Sequence, residues 1–189
     1  MANHLAISPA RFESECRAIY RDVEALLEGL SREQFNWQPD EGRRWSIAQN
    51  LDHLTQGHLE YAAPLERAIA RARPRQERVP GVPNWLGTLF INQLEPPVKT
   101  RLKAPSKIIP RTDLDPVEAR RAFDAAVDRT KELLDRAWPT ELSRTRFGNP
   151  FLRGLPAFNV ASAFLIQLAH MRRHIAQAAA VRSRQDFPK

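Results

Sequence analysis

Apolar residues recur along this chain at intervals of three and four over four separate stretches, the spacing of helices that each bury one face. Phe12, Cys16, Ile19, Val23, Leu26 and Leu30 form the first stripe, and Ser8 followed by Pro9 supplies a cap and a first helical turn. Ser31 and Gln34 stand at capping-box spacing for one short extra turn through Trp37, stopped before Pro39. The second stripe is Ile47, Leu51, Leu54, His58, Tyr61, Leu65 and Ile69, opened by Ser46 as cap, Gln49 as its partner and Trp45 as a hydrophobic staple. Asp115-Pro116-Val117-Glu118 starts the third, which carries Phe123, Ala126, Val127, Thr130, Leu133, Leu134 and Ala137 and ends ahead of Pro139. The fourth begins near Pro156 and carries Val160, Ala161, Phe164, Leu165, Leu168, Met171, Ile175 and Ala178. The predicted helices span 9–30, 46–73, 115–138 and 157–183. No segment alternates with the period of a strand, so the expected class is all-α, a four-helix bundle forming a single domain over 1–189.

Between the second and third helices, from 74 to 114, no strong period survives and prolines interrupt the chain repeatedly. Connectors this long are usually functional or carry structure of their own. One piece, Val82 to Leu94, holds Trp85, Leu86, Leu89, Phe90, Ile91 and Leu94 and suits a short amphipathic helix that closes one end of the core or contacts a second copy in a homodimer. The connector also holds the charge. Nine basic residues between Arg71 and Arg111 (Arg71, Arg73, Arg75, Arg78, Lys99, Arg101, Lys103, Lys107 and Arg111) face only Glu77 and Glu95, which accounts for the whole formal charge of +7. A nucleic-acid-binding module would rest on this segment, but its charges are scattered among prolines and, apart from Trp85, no aromatics are interleaved with them.

Composition narrows the remaining classes. A single cysteine excludes an internal disulfide and any cysteine-rich zinc module, and Cys16 lies on a buried stripe as a small core residue. No apolar run is long enough to span a bilayer, and the first residues lack a basic segment followed by an apolar core, so a cytoplasmic protein without membrane attachment is expected. There is no Ser-His-Asp order, phosphate-cradling glycine loop or pair of carboxylates.

The candidate chemistry lies in His170-Met171-Arg172-Arg173-His174 on the fourth helix. Side chains four apart on a helix stand one above the other, so both imidazoles can converge on one ion. A functional ion needs a third ligand, and the chain offers His4, His53 and His58. Periodicity puts His58 on the core stripe and His53 on its flank, and separates the two only weakly as ligands. Gln167 and Gln177, one turn from the pair, are candidates to orient the imidazoles.

Taken together, Trp45-Ser46 eight residues ahead of His53-Leu54, a proline-bearing middle and a closing His170-x-x-x-His174-x-x-Gln177 resemble the DinB-like superfamily of DNA-damage-inducible helical proteins. The likeness spans about residues 10 to 182. It implies a four-helix bundle with a long crossover connection between helices two and three. It also implies a divalent transition metal held by His53, His170 and His174. Zinc and nickel come first for imidazole donors, with iron after them. The superfamily includes S-transferases and isomerases using low-molecular-weight thiols. The functional expectation is therefore a metal-dependent transferase of thiol S-transferase type, or a hydrolase, acting on a small-molecule substrate such as a low-molecular-weight thiol. The catalytic residues are not identified. A metal-binding stress-response protein without turnover is the alternative.

Overall fold

The computed structural model describes residues 5–97 and 103–189, so His4, Lys99 and Arg101 lie outside the described residues. It is all-helical: α1 (Pro9–Leu27), α2 (Arg32–Asn36), α3 (Ile47–Ala70), α4 (Trp85–Leu94), α5 (Pro116–Ala137) and α6 (Val160–Arg182). The described residues hold no β-strand, only isolated bridges such as Ile7 to Gly81 and Pro74 to Thr140. No helix among them is long and apolar enough to cross a membrane.

The expected caps do what their residue types dictate. Ser8, Ser31, Ser46 and Asp115 each accept a hydrogen bond from a backbone N–H of the first turn they precede, and Asn159, which the sequence reading does not mark as a cap, does the same for α6. At Ser31–Gln34 and Ser46–Gln49 the bonds are reciprocal. The helix ends depart from the sequence expectation by a few residues. α1 stops at Leu27 because Gly29 turns into the left-handed region (φ +69°), and α6 starts at Val160 because the Asn159 side chain takes the Ser162 N–H at 2.8 Å.

Two helices are central. α3 packs against α5, α6 and α2, and α6 packs against α1, α3 and α4. Val160 to Ala169 are buried without interruption, and so are Ile47 to Thr55. A helix covered on all sides has no solvent face to show a polar stripe, so its polar residues must find partners inside. α3 and α6 run in opposite senses. Asn50 meets His174, His53 meets His170, Gly57 abuts His170, and Tyr61 reaches Asn149 ahead of α6.

The amphipathic piece of the connector does form a helix, but it lies along α6 and does not close an end. Gly87 of α4 packs on Ser162, Phe90 stacks on Phe158 with ring centroids 5.7 Å apart, and Glu95 pairs with Arg172. Ile91 and Leu94 enter the core, while Trp85 and Leu89 stay exposed. Three basic residues of the connector are tied to the body. Arg75 lies over the Trp138 ring, Lys107 faces Glu60 and Arg111 binds Asp52.

Candidate metal centre

His53 comes from the second turn of α3, and His170 and His174 from successive turns of α6. Each offers one ring nitrogen, and the three nitrogens lie within 4.8 Å of one another. The ring centroids are 4.5 to 4.9 Å apart, and His53 Nε2 is 3.0 Å from His170 Nε2. The structure thus brings together the three histidines expected from the sequence and leaves His58 out. Five residues along a helix turn the side chain to another face. His58 accordingly points to α5, where its Nδ1 is 2.8 Å from Thr130 Oγ1. The Thr130 hydroxyl donates to the Ala126 carbonyl at 3.0 Å, so the imidazole donates Nδ1–H to it. Burial does not separate the two histidines as the stripe suggested, since His53 and His58 are both 3% exposed. The flank of α3 that carries His53 is covered by the 3-10 turn Ser106–Ile108, which periodicity within one helix does not reveal.

The outer ring atoms define the tautomers. His53 Nδ1 is 2.7 Å from the Ile108 carbonyl oxygen, which only accepts, so Nδ1 carries the proton and Nε2 keeps its lone pair. Ser46 fixes the second case. Its carbonyl takes the Asn50 Nδ2–H at 2.8 Å, which leaves Asn50 Oδ1 as the acceptor 2.9 Å from His174 Nδ1. His174 is therefore also an Nδ1–H tautomer with its Nε2 lone pair free. The glutamines do not take this orienting role. Gln167 bonds the Ala163 carbonyl and faces Thr130, and His174 is held by Asn50 instead.

Trp45 is the residue whose role was missed. Its ring stacks on His174 (centroids 5.7 Å apart, planes at 28°) and tilts over His53 at 4.7 Å. Its place just before the Ser46 cap marks it as a staple, and the same place sets the indole over His53 in the second turn of α3 and over His174 on the facing helix.

Electrostatics keep the three rings neutral. Burial lowers the pKa of His53, opposed by the Ile108 carbonyl and the charge of Asp52. For His174, burial and then the neighbouring His53 and Arg173 push it well below the usual value. His170 keeps some surface exposure, yet the protein packed around it and the neighbouring His174 and His53 hold it well below the usual value too. Neutral imidazole is the form that ligates metal, and three of them, two with their outer nitrogens engaged, are a donor set for a divalent transition ion. Cys16 is no competitor as a ligand. It is buried in the core, where desolvation pushes its thiol up to about 12.

No curated protein and no solved structure shows a significant match to the chain. A family model described as the DinB superfamily matches residues 15–178, which takes in α3, most of α6 and all three histidines. With helical architecture, triad and family match in agreement over most of its length, the chain belongs to the DinB superfamily.

Proposed function

We propose that this is a divalent-metal-binding protein whose site, His53, His170 and His174, serves a small-molecule reaction, either a thiol-dependent transfer or a hydrolysis. In this reading α1, α3, α5 and α6 form a four-helix bundle, and the stretch between α3 and α5 is its crossover. The observation that carries the proposal is the pair of fixed tautomers. Ile108 and Asn50 take the outer Nδ1–H of His53 and His174, and this is how metal-ligating imidazoles are ordinarily oriented. Zinc or nickel fits the all-nitrogen donor set, with iron next. A metal held by three protein ligands keeps open positions, where it lowers the pKa of a bound water or thiol. The chain's own part is to present three neutral nitrogens, to hold two rings by hydrogen bonds and to shield one side of the site with Trp45.

A second reading, a metal-holding protein without turnover, is favoured by one feature. The void beside His174, lined by Asn50, Leu54 and Ile175 among others, amounts to only about 10 Å³. Room for a substrate then has to come from the side of the site where His170 reaches the surface. Elemental analysis of untagged protein, followed by titration of the cobalt-substituted form with a small thiol, separates the readings. A thiol-induced change in the cobalt spectrum supports the thiol-dependent enzyme, and an unchanged spectrum with stoichiometric metal removes that reading and leaves the hydrolase and the holding protein.

A further inference from the structure

The segment from Lys107 to Arg111 lies as a strap along one line of α3. Asp52, Gln56 and Glu60, at successive intervals of four on that helix, each reach it. The Asp52 carboxylate, 2% exposed, accepts from the Arg111 backbone N–H at 2.8 Å and from Arg111 Nε and Nη2 at 3.1 and 2.6 Å. Gln56 Nε2 donates to Asp52 at 2.6 Å and to the Ile109 carbonyl at 3.3 Å. Lys107 and Glu60 approach only to 3.8 Å on the surface, a pair of the kind that contributes little. Between these anchors the Ile108 side chain is buried, and its carbonyl meets His53 Nδ1 at 2.7 Å.

We infer that Asp52 and Arg111 are positioning residues for the metal centre: they pin the strap so that the Ile108 carbonyl holds His53 in the tautomer that turns Nε2 to the site. The reasoning is geometric. An imidazole on a helix is free to flip about its outer torsion and to exchange tautomers, and a carbonyl fixes both only if the strand carrying it is itself fixed. Ile108 is backbone, so no side chain at that position supplies the acceptor, and the strap depends on bonds made elsewhere. The buried Asp52 carboxylate takes three of them from Arg111, three residues from that carbonyl. Asp52 precedes His53 in sequence, but its carboxylate accepts hydrogen bonds from Arg111 and Gln56 and none from the ring. The role as a metal-site device rests on the proposed function, whereas the orientation of His53 does not.

The test uses the full chain labelled with ¹⁵N-histidine, metal-free and under zinc titration, as wild type, Asp52→Ala, Asp52→Asn and Arg111→Ala. Arg111 has a side chain 69% exposed, so its variant keeps the fold if the more buried Asp52→Ala does not. In metal-free wild type, His53 is expected as the Nδ1–H tautomer. Asp52→Ala and Arg111→Ala should mix its tautomers and weaken zinc binding about 10- to 100-fold, with Asp52→Asn between them and wild type. His174, held by Asn50, should keep its tautomer throughout. Unchanged His53 tautomer and unchanged zinc affinity in Arg111→Ala overturn the inference. If the wild type takes up neither zinc nor, in a parallel titration, nickel, the proposed function falls, and the tautomer measurement alone decides: scrambling in the variants upholds the positioning and retention overturns it.

Discussion

His58 should make the protein acid-sensitive in a way that can be assigned to one side chain. The ring is 3% exposed, donates to Thr130, and has no partner for Nε2 among the described residues. Burial, opposed only by the Gln167 side chain, lowers its pKa to about 4. In the unfolded chain the value returns to about 6.5. Between these two values the unfolded state binds a proton that the folded state refuses, so folding stability falls as pH falls through this window. The full contribution of a neutral His58 is present above pH 6.5, and the loss is complete near pH 4. A difference of about 2.5 units at roughly 1.36 kcal/mol per unit amounts to about 3 kcal/mol. That is a large share of the about 5–15 kcal/mol that holds a typical domain folded. The perturbation is His58→Gln, which keeps a donor for Thr130 and does not titrate. Urea unfolding of the two metal-free proteins at several pH values from 7 to 4 gives the comparison, because the site histidines and the carboxylates are present in both. The variant should start less stable at pH 7 and lose about 3 kcal/mol less than wild type on acidification. Parallel stability curves over the whole range would refute the argument that His58 is held neutral.

Three further outcomes follow from particular contacts. Asn50→Ala leaves the His174 Nδ1–H without its acceptor and should weaken zinc binding about 10- to 100-fold in a competition titration, whereas a change under twofold would count against the tautomer argument. Gly87→Ala places a Cβ 2.1 Å from Ser162 Oγ and 2.6 Å from its Cβ, so α4 has to shift off α6; thermal or urea unfolding should show about 1–3 kcal/mol of destabilisation, and a neutral result would contradict the close docking. Trp45 stacks against two candidate ligands, so binding of a paramagnetic ion such as nickel or copper should quench tryptophan fluorescence, and Trp45→Phe should abolish most of that response; a response carried instead by Trp37, Trp85 or Trp138 would place the ion elsewhere.

The helices were legible because each begins with a local signal that its neighbours do not override: Ser8 with Pro9, Ser46 with Gln49, Asp115 with Pro116. Their ends were less so. Gly29 and the Asn159 cap set boundaries through backbone conformation and loop contacts, and an apolar stripe simply runs past such points. At the site, the spacing of His170 and His174 could be read directly, because a helix places side chains four apart on one face. The choice of His53 over His58 needed the family resemblance. Within α3 the stripe distinguishes one buried face from the rest, yet the N-terminal part of this helix, Ile47 to Thr55, is buried without interruption among α5, α6, α2 and the turn at Ser106–Ile108. The orienting partners are not legible in the sequence for a related reason. Gln167 and Gln177 are near the histidines along their own helix, whereas Asn50 comes from the facing helix and the Ile108 carbonyl from 55 residues away in sequence, and backbone acceptors carry no residue signature. Trp45 had the right position assigned to it and an incomplete role, since a staple and a ring stacked on imidazoles look alike until the facing helix is in place.

The central claim is that His53, His170 and His174 together hold one divalent metal. Its most direct test is metal stoichiometry, measured by elemental analysis after zinc or nickel loading and dialysis, on untagged wild type and on the single alanine variants of His53, His58, His170 and His174. The predicted result is one ion per chain for wild type and for His58→Ala, and loss of stoichiometric metal for each of the other three with helical content retained. Metal kept by His53→Ala but lost by His58→Ala, or no bound metal in wild type, would contradict it.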